Sequence, residues 1–118
     1  MKQNGFITTT NKRHYILLTE KRNVTTYMLA AMIRKMAETQ NLPSEMAEEI
    51  MRDSHTRREF RKRIEPCRLE KCSDHYHIEV GKPEKPHSIM NIPFTEKCVV
   101  VFEEGKPKPM LSKLYEEA

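Results

Sequence analysis

Six basic side chains in a short stretch are the most concentrated source of chemistry in this sequence. Residues 52–64 contain six Lys or Arg against two acidic residues, whereas the segments before and after contain seven against five and eight against ten. The excess of basic over acidic residues in this stretch therefore equals the net charge of the whole chain, +4. Arginine binds phosphate oxygens through paired hydrogen bonds and stays charged at any working pH. The side chains concerned are Arg52, Arg57, Arg58, Arg61, Lys62 and Arg63.

The spacing of these side chains predicts a shared helical surface. Arg57, Arg58 and Arg61 recur at intervals of three and four residues, which places them on neighbouring positions of a helix. One interpretation is a solvated helix end that complements its own dipole, with Glu59 partly compensating the charge. The other is an anionic partner. We hypothesise a non-enzymatic binding protein that engages nucleic acid through residues 52–63, mainly at phosphates and with weak sequence preference.

Two further interpretations of the helical region were weighed. A helix-turn-helix is disfavoured because Glu45, Glu48 and Glu49 occupy the start of the second helix, where a recognition helix would approach the nucleic acid. The alternative is a protein-interaction module, such as a small phage or mobile-element inhibitor or adaptor. Its Arg face would dock on an acidic protein surface, and exposed Met side chains would adapt to that surface.

A second group of residues has the chemistry of zinc ligands. Cys67, Cys72, His75 and His77 are ligand types that zinc prefers. Their spacing matches no finger or ribbon pattern, because the sequence lacks a CxxC pair. Ordinary surface histidines beside two small thiols are the competing interpretation. We therefore expect no bound metal and no cofactor, and keep these four residues as the candidates should a metal be present.

An acid–base function was also considered for one strand. His75, His77 and Glu79 alternate along the sequence and would share one strand face, which suits proton transfer. No nucleophile or phosphate-loop motif accompanies them, and the chain contains just three Gly. A small hydrolytic protein is thus the weakest of the alternatives, and we expect no enzymatic activity.

Length and composition restrict the setting. A chain of 118 residues suits a single domain. A homodimer stays open as an expectation, because small cores are marginally stable. The three Cys do not suggest a disulfide framework, and the sequence has neither a signal-peptide core nor an apolar run long enough to span a bilayer. These observations lead us to expect a reducing, cytoplasmic setting and no membrane association.

The periodicity of apolar residues predicts an α+β fold in the order ββααβββ. A small antiparallel sheet of four to five strands would be covered by a two-helix hairpin. The segments are a β-hairpin over residues 1–20 with its turn at 11–13, the helical hairpin over 24–64, antiparallel strands over 74–103, and a tail over 105–118 that could form a short C-terminal helix.

Several details of packing follow from the same pattern. The first helix should begin at Asn23 or Thr25 and end near residues 40–41, and the second should be capped by Ser44. The apolar stripe of the second helix is interrupted near Ser54, where the helix would bend or stop. Pro66 would end this helix. The second strand, residues 14–19, should lie inside the sheet. The most buried residues are predicted to be Ile16, Leu29, Ile33, Val99 and Val101.

Overall fold

The protein consists of one layer of helices on a single curled β-sheet. The structure, a computed structural model, describes residues 1–95 and 97–102. Its elements in chain order are β1 (Lys2–Thr10), β2 (Arg13–Leu18), α1 (Thr26–Glu38), α2 (Ser44–Arg52), α3 (Ser54–Arg61), β3 (Glu65–Lys71), β4 (His75–Lys82), β5 (Lys85–Pro93) and β6 (Cys98–Phe102). The predicted α+β class is confirmed. The predicted short C-terminal helix lies outside the described residues.

The N-terminal hairpin forms as the sequence predicts. β1 and β2 pair in antiparallel register, with Thr10 opposite Arg13. The two turn residues between them, Asn11 and Lys12, have φ values of 48° and 66°. Two consecutive positive φ angles give a turn whose twist matches that of the strands it joins. β2 lies between β1 and β6, so its predicted interior position is also correct.

Helix α1 begins at a side-chain cap and buries one face. The Thr25 hydroxyl accepts a hydrogen bond from the Met28 amide at 3.2 Å, which satisfies one of the free donors at the helix start. The helix ends at Glu38, and Gln40 then takes a positive φ of 60°. Its buried face is a stripe of apolar residues at helical spacing, formed by Met28, Leu29, Met32, Ile33 and Met36.

The second predicted helix is divided into α2 and α3 at Asp53. The Asp53 amide donates to Glu49 O, while its carboxylate accepts from the Thr56 amide at 2.8 Å and starts the next helix. The hydrogen bond from the Thr56 hydroxyl, followed by that from the amide, lowers the pKa of Asp53. A carboxylate at this position satisfies free N–H groups of α3. The expected two-helix hairpin is therefore three helices, and Ser44 is the first residue of α2 instead of its cap.

The sheet is mixed and contains six strands in the order β5-β4-β3-β1-β2-β6. β6 pairs with β2 in parallel, while the other neighbours are antiparallel. The expectation of a purely antiparallel sheet of four to five strands is thus wrong in two respects. The additional strand is β3. The sequence pattern predicted no strand at this point, because Pro66 indicated only the end of the preceding helix. Pro66 pairs with Phe6 of β1, and pairing with β4 begins one residue later at Cys67, so the missing N–H is tolerated at the start of the strand.

The sheet must curl strongly to accommodate its topology. β5 and β6 form opposite edges, yet Pro93 at the end of β5 and Cys98 at the start of β6 are five residues apart. Such a segment spans at most about 18 Å, whereas five strand spacings of a flat sheet cover about 24 Å. Phe94 packs edge-on against Tyr76, with ring centroids 4.7 Å apart. The sheet therefore curls around the face opposite the helices, which we call the inner face.

Each face of the sheet has its own hydrophobic core. The helix-side core contains Phe6, Tyr15, Leu17, Met28, Leu29, Met32, Ile33, Met36, Leu42, Ala47, Ile50, Phe60 and Ile64. The inner core contains Ile7, Ile16, Cys67, Leu69, Ile78, Val80, Ile92 and Cys98. Ile16, Leu29 and Ile33 are buried as predicted. Val99 and Val101 pack on the helix-side core but are half-buried, because β6 is an edge strand.

Within the described residues, no helix has the length and apolar character needed to cross a membrane.

Candidate anion-binding surface

The predicted basic residues lie in and around α3. Arg52 is the last residue of α2, and Arg58 and Arg61 lie one turn apart on α3. All three side chains are exposed. Neither Arg58 nor Arg61 forms an ion pair with any residue that the structure describes. These two guanidinium groups are therefore available to a partner at the surface of α3.

Arg57 has a different environment from the other members of the set. Its side chain is half-buried, and its guanidinium group donates a hydrogen bond to Met51 O in the last turn of α2. The carbonyls of a final turn have no partner within their own helix, and a cation there also complements the helix dipole. Arg57 thus joins α2 to α3. Its guanidinium group therefore has a partner within the described chain, unlike those of Arg58 and Arg61.

We expect Arg57→Ala to lower the free energy of unfolding by about 2 kcal/mol, because it removes a charged hydrogen bond and the packing of a half-buried stem. Arg58→Ala removes the same charge from an exposed site and should change stability by less than about 0.5 kcal/mol. Urea unfolding followed by circular dichroism measures both. Equal effects of the two substitutions would contradict the assigned role of Arg57.

The end of α3 adds two further cations. Lys62 Nζ lies 3.1 Å from Glu59 Oε1, an exposed pair that neutralises one charge. The Arg63 guanidinium lies over the Phe60 ring, 5.5 Å from its centroid. An arginine stacked on an aromatic face keeps its hydrogen-bonding edge free for a second ligand. The contact with Phe60 fixes the position of the Arg63 guanidinium. Because the side chain is exposed, its charge remains accessible.

The topology brings other basic residues to the same end of the sheet. Arg63 lines a half-open cleft of about 280 Å³ together with Thr9 of β1 and His87 of β5. The turns that follow β1 and β4 extend from this end, because Ile7 pairs with Glu65 and Val80 with Cys67 at the start of β3. We define the basic end as the following set: Lys12, Arg58, Arg61, Lys62, Arg63, Lys82 and Lys85.

Acidic side chains limit where an anion can approach. Glu65 at the start of β3 is bound to His87, whose Nε2 lies 2.9 Å from the carboxylate. The exposed face of α2 carries Glu45, Glu48 and Glu49. Two adjacent helices therefore present opposite charges. An anionic partner is favoured along α3 and the β4–β5 turn, and disfavoured along α2.

The four candidate metal ligands do not share one face of the sheet, and Cys72 lies in the turn between β3 and β4. Cys67 is buried in the inner core, where desolvation raises the pKa of its thiol to about 12. The register pairs Cys67 with Val80 of β4, so His75 and His77 project from the opposite face of that strand. Across the described residues, no group of three or more His, Cys, Asp or Glu side chains is placed to hold a metal ion.

The three proposed acid–base residues, His75, His77 and Glu79, each contact different neighbouring side chains. Glu79 accepts a hydrogen bond from Lys2 at 3.2 Å and pairs with Arg68 at 2.8 Å, and the hydrogen bond from Lys2 is the main cause of its lowered pKa. His77 contacts the Asn91 amide at 2.8 Å, and His75 contacts Asp74 at 2.7 Å. A carboxylate held ionised by two cations is a poor proton donor or acceptor near neutral pH. The arrangement favours a structural network.

Comparison of the chain with protein-family models, curated proteins and solved structures found no match. The function is therefore argued from the residues and their geometry.

Proposed function

We propose that this protein is a non-enzymatic nucleic-acid-binding protein that contacts phosphates through its basic end. The observation that carries the proposal is the pair Arg58 and Arg61, two exposed guanidinium groups on one helix without an ion pair among the described residues. Arg63, fixed over Phe60, continues the same surface. Guanidinium groups at helical spacing match the repeating phosphates of a nucleic-acid backbone.

The composition of this surface favours phosphate over an acidic protein partner. Protein interfaces are usually anchored by aromatic or large apolar side chains at their centre. The exposed large hydrophobic residues that the structure describes are Met1, Tyr27, Met46, Ile89 and Phe94. None of them belongs to the basic end. A charged surface without an apolar anchor is better suited to a sequence-independent polyanion.

The geometry also limits the mode of binding. α3 contains eight residues and its N-terminal turn is capped by the Asp53 carboxylate, which disfavours insertion of that end between phosphates. The cations instead follow the C-terminal part of α3 and continue into the turns of the sheet. This distribution supports lateral contact with a backbone and little direct contact with base edges. We therefore propose weak sequence preference.

The test is the affinity for labelled single- and double-stranded DNA and RNA, measured by fluorescence anisotropy over a range of salt concentrations. With about four phosphate contacts, the affinity of the wild type should fall roughly 100-fold between about 50 and 200 mM salt. An Arg58→Ala/Arg61→Ala variant should bind roughly 100-fold more weakly at the lower salt concentration, and its salt slope should be reduced by about two.

The matched control removes two exposed cations from the opposite end of the sheet. Arg22 follows β2 and Lys71 ends β3, so Arg22→Ala/Lys71→Ala gives the same net charge with the basic end intact. This control should bind nearly as well as the wild type. Binding that is lost equally in both variants would indicate a response to net charge alone, and no binding of the wild type at low salt would refute the proposal. Arg57 is excluded from the test because of its contact with α2.

A further inference from the structure

The run over residues 86–95 contains no Asp, Glu, Lys or Arg, although charged residues make up 32% of the chain. Two other uncharged runs of similar length occur, at residues 3–11 and 23–33. Both are explained by burial within the chain: the first contains most of β1, which is paired on both sides, and the second contains the start of α1, which packs on the helix-side core. The run at 86–95 has no such explanation.

This third run forms most of β5 and lies at the surface. β5 is an edge strand that pairs with β4 on one side. Most of its side chains are exposed, and Ile89 retains 60% of its accessible surface. Phe94, just beyond the strand, is also exposed. Two of the few large hydrophobic residues at the surface of the described chain therefore occur within one short segment.

Among the described residues, no strand pairs with the outer edge of β5, and the features that guard an edge are confined to the two ends of the strand. Natural edge strands are commonly guarded by charged side chains, because unpaired N–H and C=O groups can pair with another strand. In β5 the prolines stand near the ends, at Pro86 and Pro93, and leave the six residues between them without charge or proline. The register irregularity at Val80 and Gly81 likewise lies at the beginning of the strand. An uncharged edge of pairing length is exposed.

We propose that this edge is a homodimer interface, in which β5 of two copies pair in antiparallel orientation and join their sheets. A second copy is the favoured occupant because the strip is compatible with itself: it carries no Asp, Glu, Lys or Arg, so two chains of net charge +4 can pair along it without opposing charged side chains. A two-fold axis at Ile89 places the two Ile89 side chains opposite each other and Lys85 opposite Pro93, so no like charges meet. Lys85 is the one member of the basic end that borders this strip, while Arg58, Arg61 and Arg63 lie outside it, so the interface does not depend on the proposed function.

The test is the oligomeric state without nucleic acid, measured by sedimentation equilibrium from about 1 to about 100 μM, a range suited to a small interface. We expect the wild type to dimerise. Ile89→Lys places two like charges across the axis and should weaken dimerisation by about 100-fold or more. Met46→Lys makes the same change at another exposed hydrophobic residue, which lies on α2, and should leave the dimer intact.

Hydrogen exchange identifies the strand involved. Those amides of residues 87–92 that point away from β4 should exchange more slowly as the wild-type concentration rises, and Ile89→Lys should abolish this dependence. Circular dichroism verifies that the variant is folded, and Ser88→Lys, at another exposed site on β5, replaces it if it is not. A monomeric wild type, a dimer that persists in the folded β5 variant, or a dimer lost equally in Met46→Lys would each overturn the proposal. A wild-type monomer that captures an extended peptide would assign the edge to another protein.

Discussion

Ile33→Asp is expected to leave the chain unfolded at room temperature. Ile33 is 2% exposed and lies in the helix-side core between α1 and the sheet. The substitution removes a buried aliphatic side chain and places an unpaired carboxylate among apolar groups, which together cost roughly 5 kcal/mol or more. A domain near the lower end of the ordinary stability range of about 5–15 kcal/mol loses all or most of its folding free energy through such a change.

The measurement is far-UV circular dichroism with urea unfolding. Met46→Asp is the matched control, because Met46 is also a helical apolar residue but is 49% exposed on α2. It should unfold cooperatively with a midpoint close to that of the wild type. A cooperative transition of Ile33→Asp near the wild-type midpoint would mean that the apolar stripe of α1 faces solvent, which is incompatible with the fold described.

Gly5→Ala should destabilise the protein by about 3 kcal/mol, a large effect for one methyl group. A Cβ atom at position 5 would lie 2.4 Å from Leu17 O and 3.2 Å from Leu18 Cα. Both atoms belong to the backbone of β2, so no side-chain rotation relieves the contact. Gly5 is also paired with Cys67 of β3 on its other side. β1 therefore cannot move away from β2 without disturbing the second ladder.

Gln3→Ala provides the comparison for Gly5. Gln3 lies two residues earlier on the same strand, faces the same side of the sheet and is exposed. Its replacement should change the free energy of unfolding by less than about 0.5 kcal/mol. Unfolding curves in urea distinguish the two variants. If Gly5→Ala were as stable as Gln3→Ala, β1 and β2 could not approach each other as closely as described.

The parts of the fold that were predictable have strong local signals. The stripe from Met28 to Met36 repeats at the helical period over about two and a half turns, and Thr25 supplies a cap, so α1 was placed correctly. β3 has a weak signal. Its two buried residues, Cys67 and Leu69, are separated by Arg68 and preceded by Pro66, and a period of two cannot be recognised from two apolar positions.

Long-range pairing explains the other errors in the fold. Residues 98–102 are the most apolar strand of the sequence, which predicted that Val99 and Val101 would be among the most buried residues. β6 instead forms an edge beside β2 and is partly covered by α1. Its parallel orientation depends on the curl of the whole sheet, which brings the start of β6 close to the end of β5. No local sequence pattern in β5 or β6 indicates that these two strand ends lie close together.

The candidate surface was predicted in composition but not in extent. The charge count singled out Arg58, Arg61 and Arg63, which lie on and just after α3. The charge count could not distinguish Arg57 from the exposed arginines, because the hydrogen bond from Arg57 to Met51 O depends on the angle between α2 and α3 at Asp53. Lys82 and Lys85 were also missed as members, since strand pairing alone brings their turn to this end of the sheet.

The parallel pairing of β2 with β6 has a consequence for biosynthesis. Ile16 is paired with Val100, so β2 emerges from the ribosome long before its outer neighbour exists. At typical rates of about 5–20 residues per second, translation of the intervening chain takes roughly 4–16 s. During that interval the apolar edge of β2 is open to pairing with other nascent chains. Closure of this long loop is also slow in refolding, so the protein is expected to complete its sheet late and to depend on protection of β2 until it does.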